Sequence, residues 1–304
     1  MVPAGGDGLF RAAPGGSPGN VAVGLARLGI PVRMLARLSG DVLGRRLRAH
    51  LADNGVDLSH VVDATEASSL AIVALGADGS PDYDFRVDGT ADWQWTEGEL
   101  ATALSDVQAL HLGSLAVTTP PGGAVLRDLA ARAKASATVT FDPNVRPLLM
   151  GSPEQVMAVV DEMLGVADVV KASIEDVEWL APGRSTADVA AGWAEAGPAL
   201  VVMTRGGEGA LAVGRSCGTV ECTGTPVDVV DTVGAGDSFM SALIAGLHQR
   251  DLLGAGRRDA IGALATDDVR ELLREAVTAS AITCSRLGAD PPTAPELRAA
   301  LNND

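Results

Sequence analysis

Val229-Val230-Asp231-Thr232-Val233-Gly234-Ala235-Gly236-Asp237-Ser238-Phe239 runs from β-branched residues into glycines and then into a helix. Phe239, Leu243 and Leu247 share one face of that helix. Glycine lacks a Cβ, so the N–H groups of Gly234, Ala235 and Gly236 can turn toward one point. The helix start adds unpaired N–H groups and the positive end of its dipole. Together they make an anion hole suited to a phosphoryl group in transfer. Asp237 falls where the dipole favours a carboxylate, which can take a proton from a hydroxyl. A plain helix-capping Asp is the alternative, and Gly-Ala-Gly-Asp alone would not decide against it. The eleven-residue context does.

Upstream, from about Glu97 onward, helical patterns alternate with short β-rich runs. The predicted strands are Ala109–Leu112, Thr138–Phe141, Val166–Lys171 and Leu200–Thr204, with late strands at Ala210–Val213 and Val227–Val230. That rhythm predicts βαβ units, a mainly parallel sheet and an α/β fold. Helices Phe239–Leu247 and Val269–Leu287 close the chain. Nearer the N-terminus, a helix is predicted over Asn20–Leu28 and a buried strand over Val32–Leu38. Ser69–Leu75 and Asp82–Val87 read as a hairpin turning at Gly76–Ser80, with Tyr83, Phe85 and Val87 on one face. This separate β element could form a small lid over the larger core. Gly15-Gly16-Ser17-Pro18-Gly19-Asn20 opens the first helix. Backbone can approach a ligand at Gly15 and Gly16, and the Asn20 amide can serve hydroxyls. Taken alone, the run reads better as a turn with an Asn cap. No strong strand precedes Gly15, although an open parallel sheet normally begins with one.

The 304 residues are 47% hydrophobic, which suits a globular chain with a large core. No run approaches the ~18 apolar residues that span a bilayer, and no secretory signal opens the chain. Three cysteines without a CxxC pair argue for reduced thiols in a cytoplasm rather than disulfides or zinc. A net charge of −16 shows no basic footprint for nucleic acid. It also repels anions at long range, so a nucleotide's phosphates must be held by local features. The histidines are scattered and take no ligand role. Asp267–Glu275 reads as a solvated helix face.

The two Gly-rich segments resemble the paired signatures of the PfkB carbohydrate kinase family, which has the ribokinase-like fold. Leu38-Ser39-Gly40-Asp41-Val42-Leu43-Gly44 resembles the family's early turn. Phe141-Asp142-Pro143-Asn144-Val145-Arg146 is similar to its DPN-x-R run, and Thr204-Arg205-Gly206-Gly207-Glu208-Gly209 to its nucleotide-side turn. The similarity covers roughly Gly15 to Pro292. It implies one kinase domain over residues 1–304: a three-layer α/β/α core, a mainly parallel sheet, and a β lid from about 8–14 and 61–92.

On individual positions, the resemblance implies that Asp237 is the base and Gly234, Ala235 and Gly236 the anion hole. Gly15, Gly16 and Asn20 would face the sugar. Arg146 would contact substrate or phosphate, a surface arginine being the alternative. Asp142, Asn144 and, through water, Asp176 would lie near Mg²⁺ and the ATP phosphates. Ser173, Thr204, Gly206, Gly209 and Asp290 would line the nucleotide side. Asp231 would help bind a monovalent cation such as K⁺, which some members use; a turn-capping Asp is the alternative.

Three departures are visible. Ser173-Ile174-Glu175-Asp176 stands where the family usually has N-x-x-E. Asp290 stands where fructokinase-like members carry Asn. The family's first strand, with its sugar-binding Asp, is absent, and Met1-Val2-Pro3 resembles its tail. Gly89-Thr90-Ala91-Asp92-Trp93 and the Gly-Ala-x-Pro-Pro tail resemble bacterial fructokinases. Arg86 could favour an acidic sugar, as in 2-keto-3-deoxygluconate kinases, but a solvated edge charge is the preferred reading. Trp93 and Trp95 are expected to pack the lid rather than stack on sugar. Lid edges could support a homodimer. Ribokinase activity is a further variant. A non-enzymatic or impaired sugar- or nucleotide-binding relative is the main rival. The dinucleotide fingerprint fails at Phe239, and no Walker sequence is present.

Overall fold

A computed structural model of the chain describes residues 1–3, 10–75 and 81–302. The N-terminal part holds β1 (Val2–Pro3), β2 (Phe10–Arg11), α1 (Ser17–Arg27), β3 (Ala36–Ser39), α2 (Val42–Asp53), β4 (Val61–Ala64), β5 (Leu70–Leu75) and β6 (Pro81–Arg86). Then follow β7 (Ala109–Gly113), α3 (Leu115–Thr118), α4 (Gly122–Ala133), β8 (Thr138–Asp142), α5 (Pro153–Leu164), β9 (Val169–Ser173), α6 (Ile174–Leu180), α7 (Thr186–Ala196) and β10 (Leu200–Thr204). The chain continues through β11 (Ala210–Gly214), β12 (Gly218–Cys222), α8 (Ala235–Gln249), α9 (Arg258–Gly262), α10 (Thr266–Cys284) and α11 (Ala294–Leu301).

Six strands form the main sheet in the order β12-β11-β10-β9-β8-β7. β7 to β10 run parallel, and β11 and β12 turn back antiparallel. The parallel strands are apolar on both faces because helices cover both. On one face Val169, Val202 and Ala212 pack with Phe239 and Leu243 of α8 and Leu272 and Leu273 of α10. On the other, Phe141, Val170 and Met203 meet Val156 and Val160 of α5 and Trp193 of α7. The result is a three-layer α/β/α sandwich whose parallel strands all end on one side. Ser152, Ser173 and Ser185 cap α5, α6 and α7 by accepting a backbone N–H from the first turn of each.

Most predicted strands lie where alternation put them, and the shifts have local causes. β9 starts at Val169 because the N–H groups of Val166 and Ala167 still bond to Met163 at the end of α5. α1 starts at Ser17, with Pro18 in its first turn supplying a ready-set φ. α10 spans Thr266–Cys284, three residues off the predicted span at each end. Val227–Val230 is not a strand. Val229 and Val230 are 62% and 60% exposed, and the Val230 N–H bonds to the Cys284 carbonyl. The partner of β11 is β12, which sends only Val220 fully inward and so carried little pattern.

β5 and β6 pair antiparallel as the small lid sheet, with β1 against β5 through Val73 N–H to the Met1 carbonyl. Thus Met1-Val2-Pro3 belongs to the lid side. The predicted turn 76–80, residues 8 and 9 of the predicted lid segment, and the Tyr83 side chain lie outside what is described. Arg37 ties β3 to the lid base. It is 8% exposed, bonds the Ala91 carbonyl, and pairs with Glu66 and Glu99.

β3 and β4 form a separate parallel pair. Among the described residues, neither β3 nor β7 has a strand on its outer edge. A cavity of about 540 Å³ lies between them, walled by Met34 and Leu35 on one side and Leu110 and His111 on the other, with Val21 and Ile244 also lining it. The predicted strand Val32–Leu38 shortens accordingly to β3 plus an isolated bridge at Arg33.

Asp41 gives this region a pH dependence. Its carboxylate caps α2 through the Gly44 N–H and also accepts the N–H and hydroxyl of Ser68. The backbone N–H bonds from Gly44 and Ser68 hold it at about 2, below the ordinary 3.8. A carboxylate with a depressed folded pKa stabilises the fold above its unfolded pKa and loses that contribution as pH falls through the folded value. We expect Asp41→Asn to lower stability by about 1–2 kcal/mol at pH 7. The gap to wild type should close between about pH 4 and pH 2. Urea unfolding midpoints across that range are the measurement; a gap independent of pH would contradict the assignment.

Candidate active site

Two sequence-distant glycine turns meet at one carboxylate. Gly16 caps α1 at φ +106, and Gly234 caps α8 at φ +78, both left-handed conformations that favour glycine. Asp237, in the first turn of α8, is 8% exposed and lines the cleft. Ser17 Oγ donates to one of its oxygens at 2.6 Å, and Asn20 Nδ2 donates to the other at 2.8 Å. The Ala235 N–H donates to the Thr232 carbonyl at 3.2 Å, so it closes the turn. The N–H groups of Gly236 and Asp237 fall in the first helical turn, where no helical acceptor exists. The cleft above, about 560 Å³, is lined among others by Gly15, Gly16, Asn20, Asn144, Arg146 and Gly236. Open parallel sheets bind ligands beyond the carboxyl ends of their strands, and this cleft lies there.

The ends of β8 and β9 supply a second layer. Asp142 accepts Lys171 Nζ at 2.9 Å and the Asn144 N–H at 3.1 Å. Burial pushes the Asp142 carboxyl up to about 6, against the pull of the Lys171 ammonium. For Lys171, burial opposes the charge, but Asp142, Asp176 and Asp237 outweigh it and raise its pKa. Asp176 accepts the Val145 N–H at 2.6 Å and the Ser173 N–H at 2.7 Å, pinning the Asp142–Arg146 loop to α6. Asn144 holds φ +37, left-handed for a non-glycine residue, and its carbonyl accepts Ser114 Oγ.

The remaining predicted positions spread around the cleft. Arg146 turns Nη1 to the Asn144 and Val145 carbonyls. Thr204, Gly206 and Gly209 form the turn leaving β10, where Gly209 is required at φ +97 because a Cβ would meet the Cys222 carbonyl at 2.1 Å. Asp231 accepts N–H groups from Val233 and Gly288, joining two loops. Asp290 pairs with Arg27 and Arg286. Arg86, exposed on β6, pairs with Asp84. Trp95 packs among Leu100, Leu126 and Leu129.

Among the described residues, no group of three or more His, Cys, Asp or Glu side chains is placed to hold a metal. The oxygen donors nearest the cleft, Asn144 and the Asp142 carboxylate that accepts its N–H, could serve a divalent ion only through that ion's waters and phosphate oxygens. Sequence reading passed over Lys171 and Ser17. A lone charge inside the buried run Val169-Val170-Lys171-Ala172 was the available signal.

The sequence matches the pfkB family carbohydrate kinase profile over residues 8–297. It is 34% identical over 244 residues to a fructokinase of Rhizobium leguminosarum bv. trifolii, covering 80% of this chain and 74% of that protein. It is 34% identical over 269 residues to a fructokinase of Klebsiella pneumoniae, covering 86% and 84%. The fold superposes on a crystal structure of fructokinase with bound ATP from Xylella fastidiosa at a TM-score of 0.87. Identity there is 28%, over 95% of this chain and 90% of that one. A fructokinase from Vibrio cholerae O395 in a form with fructose, ADP and calcium gives 0.82 at 27% identity, over 99% and 95%. With a profile matched along nearly its whole length and relatives above 30% identity, the chain belongs to the pfkB family of carbohydrate kinases.

Proposed function

We propose that this sugar kinase transfers the γ-phosphoryl group of ATP to a hydroxyl of a small sugar, with fructose the first candidate. Its relatives support this choice: fructokinases dominate them, and one neighbour binds ATP and another fructose with ADP. In this reading Gly15, Gly16, Asn20 and Arg146 hold the sugar, and Asp237 takes the proton of the attacking hydroxyl. The Gly234–Gly236 loop and the start of α8 stabilise the transferring group. Ser173, Thr204, Gly206, Gly209 and Asp290 flank the nucleotide. Mg²⁺, when bound, would neutralise charge on the phosphates, and Asp142, Asn144 and Asp176 would be the residues to face its waters. Asp231 is the candidate for a monovalent-cation loop; a related Vibrio cholerae fructokinase double mutant was crystallised with fructose, ADP and potassium ion. We take residues 1–304 as one domain whose lid, from about 8–14 and 61–92, closes over the sugar and limits ATP hydrolysis. A cytoplasmic protein, and a homodimer through lid edges, are part of the same reading.

The observation that carries it is Asp237, seated at a helix start beneath a glycine turn and hydrogen-bonded to Ser17 and Asn20 at the cleft. A screen of sugars with ATP-Mg²⁺, following ADP release and locating the phosphate by NMR, tests it. Phosphorylation of fructose or another small sugar is expected; ATP turnover without a phosphosugar would refute it.

The cavity between β3 and β7 favours a second reading, a sugar- or nucleotide-binding protein with impaired catalysis. Met34, Leu35, Leu110 and His111 line both this cavity and the cleft, so a loose wall there would loosen the sugar site. Sugar or ATP binding by calorimetry with no ADP release above background would support this reading.

A further inference from the structure

We propose that Lys171 is a catalytic residue, donating hydrogen bonds to the transferring phosphoryl group from beneath the Gly234–Gly236 loop. The inference rests on the kinase reading above. Lys171 sits on β9 between the fully buried Val170 and Ala172, and only 3% of its side chain is exposed. A lysine is rarely that buried unless it is paired. Asp142 is its single hydrogen-bond partner among the described residues. An ammonium carries three N–H groups, so two remain.

The neighbouring carboxylates do not claim them. Asp176 instead accepts the N–H groups of Val145 and Ser173, and Asp237 accepts from Ser17 and Asn20. The other nearby feature is the glycine loop. A Cβ built on Gly236 would stand 3.0 Å from Lys171 Nζ, so the absence of a side chain leaves the ammonium room beneath the loop. A buried counter-ion serving Asp142 alone would leave two donors unsatisfied, which is costly. Phosphate oxygens supply the missing acceptors.

Charge gives the same answer. One ammonium stands among Asp142, Asp176 and Asp237, in a protein of net charge −16. A nucleotide phosphate brought to Asp237 meets repulsion unless a fixed cation lies at the point of transfer. In the reaction, the sugar oxygen forms a bond to Pγ while the bond from Pγ to the β,γ-bridging oxygen breaks. The sugar proton passes to Asp237 and ADP leaves. Lys171 keeps its protons throughout and donates N–H groups to oxygens of the moving group.

The test compares wild type with Lys171→Met and Lys171→Gln, the second retaining a donor for Asp142 should the first not fold. Expected for a folded variant is a kcat loss of about 10²-fold or more, with sugar and ATP KM within about threefold. ADP affinity should be kept. The tightening that aluminium fluoride and sugar give to ADP binding in wild type should be lost. Turnover within about tenfold of wild type overturns the assignment. So does a loss of ADP affinity and thermal stability in step with kcat, which marks a structural counter-ion. If wild type itself phosphorylates no sugar, the kinase reading falls; if wild type works and Lys171→Gln works equally well, only the lysine assignment falls.

Discussion

Asp237→Asn is expected to lower sugar phosphorylation by about 10²–10⁴-fold while ATP still binds. The substitution keeps size and shape, so the first turn of α8 and its packing survive. What changes is the chemistry of two oxygens. In the native site both accept, one from Ser17 Oγ and one from Asn20 Nδ2. An amide offers one acceptor and one NH₂ donor, so it cannot match both partners without a rotation. More to the point, it cannot take the proton released as the sugar oxygen attacks. The nucleotide positions, Thr204, Gly206 and Gly209, lie at the end of β10 and on the turn after it, a different part of the chain from the first turn of α8. Coupled ADP release gives the rate, and calorimetry with ATP gives the binding. Turnover above about a tenth of wild type would remove Asp237 as the base.

Gly234→Ala should cost both stability and rate. Gly234 holds φ +78, where an L-residue loses roughly 1–2 kcal/mol. The added Cβ would also meet Ala289, its Cβ at 2.6 Å and its Cα at 2.9 Å. Together these predict about 2–4 kcal/mol of destabilisation. Relief can come only by moving the 288–290 loop or the loop entering α8. The latter displaces the amides of Gly236 and Asp237, and a displacement near 1 Å costs on the order of 10²-fold in rate. Gly183 provides the control, at φ +81 with nothing within 4 Å of a built Cβ. Gly183→Ala should show the backbone cost alone, about 1–2 kcal/mol, with kcat unchanged. Thermal melts and steady-state kinetics on both variants separate the two costs. Equal activity in Gly234→Ala and wild type would contradict the loop's role.

Sequence reading succeeded where the cause is local. Leu200–Met203 is continuously apolar because β10 is a central strand covered on both faces, and glycine suits position 234, just before a helix, because the backbone there is left-handed. It failed where partners were decisive. Val227–Val230 has β-branched character but no strand beside it, so its residues stay exposed. β12 was overlooked because it alternates too weakly, although it pairs antiparallel with β11 and forms the edge of the sheet. The span Val32–Leu38 has the composition of a full strand, yet the regular ladder with β4 covers only Ala36–Ser39, with a single bridge from Arg33 to Asp57 before it, and nothing described pairs on the other edge.

The candidate site divides in the same way. Gly234 and Asp237 could be picked out because glycine geometry and helix starts are written in neighbouring residues, whereas Gly15, Gly16 and Asn20 read alone as a capped turn and took a role only through the family resemblance. Asp290 and Asp176 show the limit of that. The family resemblance implies nucleotide and metal-side places for them, but nothing in the neighbouring residues gives the partners they meet from afar, Arg27 for Asp290 and the Val145 N–H for Asp176.

By itself, then, the amino-acid order determined the alternation of strands and helices and the shape of each glycine turn, since both depend on periodicity and φ over a few residues. Only the tertiary structure decided which groups surround Asp237: Ser17 and Asn20 from the far end of the chain, with Lys171 below the adjoining glycine. Strand order and helix packing set those meetings, and no local spacing encodes a contact made across more than 200 residues of chain.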